Sequence, residues 1–312
     1  MRSNDESLAL VALAISAYQS DEAVIRLLES AFAPGEPRFG AVVVVDSLGS
    51  GDIARAALDR GWKIEYVNAD RNLGSAGNLN LRLKTAADLG MHWCFAVNHD
   101  GVVEPAKVLA LLRYGLQRER VGAVYPQLIF TSADDRPDSL RRGFGAFGLL
   151  GRRQPTSSGK CAATEVAWSS SNCALYNLCP IRDGITAWPD LWMGFEDLAL
   201  GWELQRRGWV QLLCTNVLVN DTYEFKPVRL FGCTVHLASK PSWYAYYQIR
   251  NLVLIARRAG GSAVGWDGIL LRFFADVVLV LFCRSQKRER LHLLFKGAID
   301  GLRGVSGKGP VP

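Results

Sequence analysis

The chain has 312 residues, 49% of them hydrophobic and 21% charged, near the roughly 45–50% and 25% of ordinary globular proteins; this excludes a disordered, collagen-like or coiled-coil chain. One large domain or two unequal ones fit that length, since domains usually run to about 100–200 residues. The net charge of +6, from 36 basic and 30 acidic residues, is too mild to point to nucleic acid, and no DNA- or RNA-binding signature stands out.

Met1–Ser7 precedes an apolar run with no small-residue cleavage site behind it, so the chain is expected to stay in the cytoplasm. Leu8–Ile15, Ala41–Val45, Lys63–Val67 and Trp93–Val97 are apolar runs ending in Ser16, Asp46, Asn68 and Asn98-His99-Asp100. Such β-rich runs read as strands buried on both faces, as parallel strands are. Helical stretches lie between them, at Ala23–Leu28, Ile53–Leu58 and Leu79–Leu89, preceded by Asp21, Asp52 and Asn78 as expected caps. The alternation predicts a doubly wound α/β sheet whose ligands bind beyond the carboxyl ends of the strands.

Further along, Val121–Phe130 predicts a strand, followed by a polar loop, Thr131–Arg142, carrying Asp134, Asp135 and Asp138. Val166–Leu178 is expected to pair as a strand, Gly194-Phe195-Glu196-Asp197 to open a helix that runs to Gly208, Val217–Tyr223 and Gly232–His236 to be extended, and the aromatic stretch around Tyr244–Asn251 to be helical. Ile269–Cys283 is the most hydrophobic stretch, yet Arg272 and Asp276 interrupt its 15 residues, whereas a bilayer span takes roughly 20 apolar residues. Two readings stay open: a helix lying in a membrane interface, with basic Arg284, Lys287, Arg288 and Arg290 beside it, or an amphipathic helix packed on the rest of the protein. Gly307–Pro312 is expected to fray. Seven cysteines, at 94, 161, 173, 179, 214, 233 and 283, contain no Cys-x-x-Cys, so a reducing compartment is expected rather than a disulfide framework or zinc ribbon.

Gly143–Gly148 spells G-x-G-x-x-G, but a polar segment precedes it and Gly151-Arg152-Arg153-Gln154-Pro155 follows. The dinucleotide fingerprint needs a strand before and a helix after, so no nicotinamide or flavin site is expected. Asp46 and Asp100 end two strands of one predicted sheet, where a carboxylate suits a Mg²⁺ or Mn²⁺ ion bridging phosphate oxygens. Glu196-Asp197 fits a helix N-terminus on dipole grounds alone, and equally a partly desolvated site whose acid acts as a base.

The order and spacing of these pieces resemble glycosyltransferase family 2, and within it the rhamnosyltransferase-like and galactofuranosyltransferase-like branch, from about residue 8 to residue 305. Ala14-Ile15-Ser16-Ala17-Tyr18 resembles the family's opening strand, with Gln19 in place of an Asn. Val44-Val45-Asp46-Ser47-Leu48-Gly49-Ser50 resembles its Val-Asp-Asn-x-Ser turn. Asn72-Leu73-Gly74-Ser75-Ala76-Gly77-Asn78-Leu79-Asn80 resembles its Asn-Leu-Gly-x-Ala-Gly-Gly-x-Asn signature, with Asn78 where Gly is usual. Val97-Asn98-His99-Asp100 with Val103-Glu104-Pro105 resembles its variant of Asp-x-Asp. Phe195-Glu196-Asp197-Leu198-Ala199-Leu200 with Arg207-Gly208-Trp209 is similar to its Glu-Asp-x-Asp-Leu…Arg-x-x-Gly-Tyr element, with Ala199 replacing the second Asp. Val235-His236, Tyr247-x-x-Arg250-Asn251 and Gly301-Leu302-Arg303-Gly304 resemble its downstream elements.

The resemblance implies a GT-A fold, with a Rossmann-like, mostly parallel central sheet, flanking helices and a helical C-terminal extension. It places the catalytic domain at 1–240 and a membrane-associating or oligomerising region at 241–312. It implies an inverting hexosyl-class glycosyltransferase of cell-surface polysaccharide synthesis. The donor would be a dTDP-rhamnose-like or UDP-sugar-like nucleotide sugar, the acceptor a saccharide or polyprenyl-linked. Asp197 would be the base with Glu196 beside it. Tyr18, Asp46, Asn72, Gly74, Gly77, Asn80 and Asn98 would bind the donor, and Asp100 and His236 a divalent metal, Mg or Mn. The implied partners are the donor, the acceptor, an anionic membrane surface at the inner face of the plasma membrane, and further copies of the chain. A non-catalytic scaffold of a polysaccharide assembly is the alternative class; metal-dependent donor hydrolysis separates the two.

Overall fold

The computed structural model describes residues 7–130, 139–141, 162–221, 225–230, 233–261 and 263–309. After a 3-10 turn at Leu8–Leu10, strands and helices alternate: β1 (Val11–Ala17), α1 (Asp21–Ala31), β2 (Ala41–Asp46), α2 (Asp52–Asp59), β3 (Glu65–Asn68), α3 (Gly74–Asp88), β4 (Trp93–Asn98) and α4 (Pro105–Leu116). There follow β5 (Val121–Phe130), β6 (Ser139–Arg141), β7 (Ala163–Glu165), β8 (Ala174–Asn177), α5 (Cys179–Arg182), α6 (Glu196–Arg206), β9 (Val210–Asp221), β10 (Phe225–Leu230), β11 (Cys233–Ala238), α7 (Tyr244–Arg258), α8 (Trp266–Cys283) and α9 (Lys287–Arg303). The Gly143–Gly148 run, the loop acids Asp134, Asp135 and Asp138, and Cys161 lie outside the described residues.

One sheet runs in the order β3-β2-β1-β4-β8-β5-β9-β7, with β6 paired on β5. β1 pairs parallel with β2 and β4, and β2 with β3. Beyond β4 the sheet is mixed, because β8 runs antiparallel to both β4 and β5 while β5 and β9 are parallel. Register aligns Ser16 with Asn98, Ala17 with Asp46, and Asp46 with Asn68. The polar residues that end the apolar runs therefore stand side by side on one edge of the sheet.

Successive strand residues face opposite sides, and the two sides differ. Leu13, Ile15, Val44, Phe95 and Val97 pack with α1 and α4. On the other face Ala12, Ala14, Ala96, Val43 and Val45 meet Leu79, Leu83 and Ala86 of α3. Alanines on that face let α3 approach closely. A third cluster joins Leu198 and Ala199 of α6 to α7, Ile269 of α8 and Leu294 of α9, so the C-terminal helices share a core with the helix that carries Glu196 and Asp197.

Several local expectations are corrected. Asp21 and Asp52 are the first residues of α1 and α2; the caps are Ser20 and Gly51. Asn78 lies within α3, which begins four residues earlier, at Gly74. Of Val166–Leu178 only Ala174–Asn177 is strand. The tail is tied down at residues 307–309: Gly307 N–H donates to Asp190 O, Arg250 Nη1 donates to Gly307 O at 2.7 Å, and Gly309 N–H donates to Tyr247 Oη at 2.7 Å.

α3 begins with Gly74 at φ +66°, and a Cβ there would lie 2.1 Å from Trp192 O. Asn72 Oδ1 accepts from Gly74 N–H at 2.9 Å, and Ala76 N–H donates to that same Trp192 carbonyl at 3.2 Å. Gly61 has nearly the same φ, +68°, and nothing within 4 Å of its added Cβ. Gly61→Ala should therefore show only the left-handed cost of about 1–2 kcal/mol in urea denaturation. Gly74→Ala should lose clearly more; equal losses would mean that the contact with Trp192 carries no weight.

Candidate active site

The strand ends are cross-linked. Ser16 Oγ donates to Asn98 Oδ1 at 3.2 Å, and Asn98 N–H donates to Asn172 Oδ1 at 3.0 Å. Asp46 is fully buried: Oδ1 accepts from Leu48 N–H at 3.3 Å and Oδ2 from Tyr66 Oη at 2.9 Å. Burial first, and then the Asp46 carboxylate, raise the Tyr66 phenol well above its ordinary value. Gly49 permits the loop to fold down on this pair, since a Cβ there would sit 1.7 Å from Asp46 Oδ2. Asn78 strengthens the same loop from below, donating to Val45 O at 3.1 Å and Ser47 Oγ at 3.3 Å. Tyr18 is 39% exposed at the mouth of β1, and Asp100 is exposed in the turn after β4. Asn80 is committed to the protein: its amide donates to Ala187 O at 2.6 Å and accepts from Ala187 N–H at 2.9 Å. Gly77 lies in the first turns of α3, where a Cβ would be 3.1 Å from Leu73 Cβ. His236 sits on β11 opposite Pro227; its side chain lies outside the described residues.

The two acids arrive on the first turn of α6, behind a loop of unusual backbone. Trp192 has φ +62°, Gly194 φ +82° and Phe195 φ +64°. Asn251 Nδ2 faces three of its carbonyls, Leu191 O at 3.0 Å and Met193 O and Gly194 O at 2.8 Å each. Arg250 Nη2 donates to Leu191 O at 2.8 Å. From the other side Gly194 N–H donates to Ser75 Oγ at 3.2 Å. The family-like stretch of α3 and the Arg250-Asn251 pair of α7 thus grip one loop between them.

Asp197 Oδ1 accepts from Leu198 N–H at 2.8 Å. Glu196 points inward, and its Oε2 is sealed from solvent without a hydrogen-bond partner. Burial holds its carboxyl above the usual 4.5, against the opposing pull of the Ser75 hydroxyl and the Arg82 charge. Arg82 is itself buried, donating to Ala14 O at 3.2 Å, Val97 O at 2.9 Å and Asn98 Oδ1 at 3.4 Å, with Nε unpartnered. Burial lowers its pKa to about 10. Tyr125 and Tyr176 stand edge to face, ring centroids 6.3 Å apart. Burial first, and also the charge of Asp197, raise both phenols.

Sequence reasoning missed this inner layer of Arg82, Tyr125, Tyr176, Ser75 and Asn172. One signal was present: Leu79, Arg82, Leu83 and Ala86 share helical spacing, so an arginine occupies a core position. Among the described residues no group of three His, Cys, Asp or Glu could hold a metal by itself. An ion needing one or two carboxylates plus phosphate oxygens still fits Asp100, a hard oxygen donor at the open end of β4.

Because the folded state raises the Glu196 pKa, its neutral form is favoured. The stability this confers is complete below the ordinary glutamate value and is lost as pH rises through the folded one. Glu196→Gln should therefore raise Tm at pH 8 and change it little at pH 4. A lower Tm at pH 8 would mean that the ionised carboxylate is the better-held form.

Many solved structures share the fold, and three illustrate it. The TarS 1–349 fragment of S. aureus matches with TM-score 0.53 and 14% identity, over 93% of this chain and 80% of that one. Mannosyltransferase PcManGT of Pyrobaculum calidifontis, in complex with GDP-Man and Mn²⁺, matches at 0.54 and 14%, over 94% and 86%. GalNAc-T7 with UDP, GalNAc and Mn²⁺ matches at 0.58 and 12%, over 95% of this chain and 56% of that one. No curated sequence matches significantly. The glycosyl transferase family 2 profile matches residues 13–176, from β1 through β8, stopping short of Glu196, Asp197 and His236. That span is more than half of the chain and includes every strand end described above. The chain belongs to glycosyl transferase family 2 and has the GT-A fold.

Proposed function

We propose that the protein transfers a glycosyl group from a nucleoside-diphosphate sugar to an acceptor hydroxyl with inversion. The observation that carries this reading is the position of Glu196 and Asp197 on the first turn of α6, behind a loop gripped from α3 and α7, with Glu196 in electrostatic reach of Arg82, which bonds β1 and the end of β4. The proposed donor is dTDP-rhamnose-like or UDP-sugar-like, in keeping with the rhamnosyl- and galactofuranosyl-type motifs. The proposed acceptor is a saccharide or lipid-linked, in cell-surface polysaccharide synthesis.

In this reading Tyr18 and the Asp46 loop flank the nucleoside, Asn98 the ribose, and Asn72 the diphosphate at the start of α3, while Gly74 and Gly77 serve indirectly by letting that start pack on Trp192 and Leu73. Asn80 serves indirectly, by holding Ala187. Inversion is a single in-line displacement: the acceptor oxygen bonds to the anomeric carbon as the bond to the diphosphate breaks, and the acceptor proton passes to Asp197. Glu196, turned inward toward Arg82 and Ser75, positions the turn rather than taking that proton. A divalent ion, when bound, would neutralise charge on the leaving diphosphate, with Asp100 and His236 as its proposed protein ligands.

A positioned base contributes about 10²–10⁴-fold. Asp197→Asn should thus lower kcat by at least about 10²-fold while nucleotide binding, followed by calorimetry, is kept. Near-normal turnover would remove the base assignment. Asp100→Ala should abolish the gain in nucleoside-diphosphate affinity that Mn²⁺ brings. An unchanged Mn²⁺ dependence would place the ion elsewhere.

A further inference from the structure

Helix α8 wears its polarity inside out. At 100° per residue its exposed positions, Trp266, Asp267, Leu270, Leu271, Phe274, Ala275, Leu281 and Phe282, fall on one half of the cylinder, and Asp267 is the only charge among them. Phe274 is 62% exposed and Phe282 63%. The helix's other two charges turn away from that half and pair with each other, Arg272 Nε donating to Asp276 Oδ2 at 2.8 Å. The apolar surface continues onto α9, where Phe295 stacks edge-on against Phe273 at 5.1 Å and Ile299 and Leu302 are exposed one and two turns on. Isolated apolar side chains on a surface need no explanation, but a contiguous face of this kind marks a partner or a membrane.

The rim of the face selects between them. Phe282 leads into the turn between α8 and α9, where a pocket against the β10–β11 hairpin is lined by Ser239, Lys240, Arg284, Ser285 and Arg290. The Arg290 guanidinium is held by the carbonyls of Lys240, Pro241 and Ser285, at 2.8, 3.2 and 3.0 Å; no ion pair with a carboxylate neutralises it among the described residues. Lys287 and Arg288 follow, both exposed. The sequence-based expectation that Arg290 itself meets a membrane is corrected, since it is buried in the turn. No helix of the described residues is long and apolar enough to cross a bilayer.

We infer that the outer face of α8 and α9 lies on an anionic lipid surface, its aromatic and leucine side chains at the acyl boundary and the basic turn among the lipid phosphates. This inference stands apart from the transfer reaction. An apolar helical half rimmed with cations is what an interfacial helix requires, whereas a second copy of this chain would bring the same cations to the seam.

Co-sedimentation of the full chain with vesicles tests it. Phosphatidylcholine vesicles containing a quarter phosphatidylglycerol should retain the protein at low salt, pure phosphatidylcholine far less. Lys287→Gln with Arg288→Gln should weaken binding about tenfold or more. Phe274→Glu with Phe282→Glu should do the same with an unchanged circular dichroism spectrum, since both side chains are exposed. No retention on anionic vesicles at low salt would overturn the inference, as would binding indifferent to both double variants. A dimer in sedimentation velocity that Phe274→Glu dissociates, without vesicle binding, would assign the face to a second copy instead.

Discussion

The carbonyls of Leu191, Met193 and Gly194 converge on one buried amide, that of Asn251, and the rest of the site depends on that convergence. The loop they belong to holds Trp192 and Phe195 at positive φ, a conformation that costs of order 1–3 kcal/mol per non-glycine residue. Each hydrogen bond returns only about 1 kcal/mol net, but leaving a buried carbonyl unpaired costs about 1–3 kcal/mol. The unmade bonds, more than the made ones, hold the loop in place. Packing completes the grip: Trp192 lies 4.9 Å from the Tyr247 ring, and the Arg250 guanidinium sits over both Tyr246 and Tyr247, at 5.1 and 4.8 Å. The strain is concentrated just before Glu196-Asp197, at the start of α6.

Beneath that turn the protein buries charge where apolar packing would be simpler. Arg82 threads past the alanine-lined face of β1 and β4 to cap the carbonyls of Ala14 and Val97. A buried guanidinium with a partly unsatisfied fork is weak evidence for stability. Its placement gives it another consequence: one side chain bonds the middle of β1 and the end of β4 and bears electrostatically on Glu196. The polar ends of the sheet and the acids of α6 therefore sit in one electrostatic unit, with Tyr125 and Tyr176 closing it below.

The strands of the first half were legible because Val42–Val45 and Trp93–Val97 are unbroken apolar runs that only a sheet buried on both faces accommodates. Their polar ends were legible too, since parallel register must align them. Caps were read less well: Asp21 and Asp52 stand in the first turn as dipole partners rather than before it. The start of α3 was missed because Gly74 and Gly77 argue against a helix locally, and only the contact with Trp192, far along the chain, overrides that. Tyr125 and Tyr176 were hidden for the same reason. Each is unremarkable in its own segment and acquires meaning only when β5, β8 and α3 meet. The tail at Gly307–Gly309 looked free because two of its three residues are glycine, yet its backbone is bonded and Lys308 sits over the Trp192 ring.

The C-terminal helices join the inner grip to the outer surface. α9 lies close against α7 because Gly297 and Gly301 admit it: a Cβ at Gly297 would be 2.3 Å from Tyr246 O, and one at Gly301 2.9 Å from Arg250 O. Tyr246 Oη then donates to Asp300 Oδ2 at 2.8 Å, and Arg257 Nη1 to Gly301 O at 3.0 Å. One face of α9 is thus packed directly on the helix whose Arg250 and Asn251 hold the loop before Glu196-Asp197, while its opposite face is the apolar strip shared with α8. Close packing transmits displacement rather than absorbing it. Whatever covers the outer strip is therefore two packed layers from Leu191–Gly194, and α7 is the element through which surface and site constrain each other.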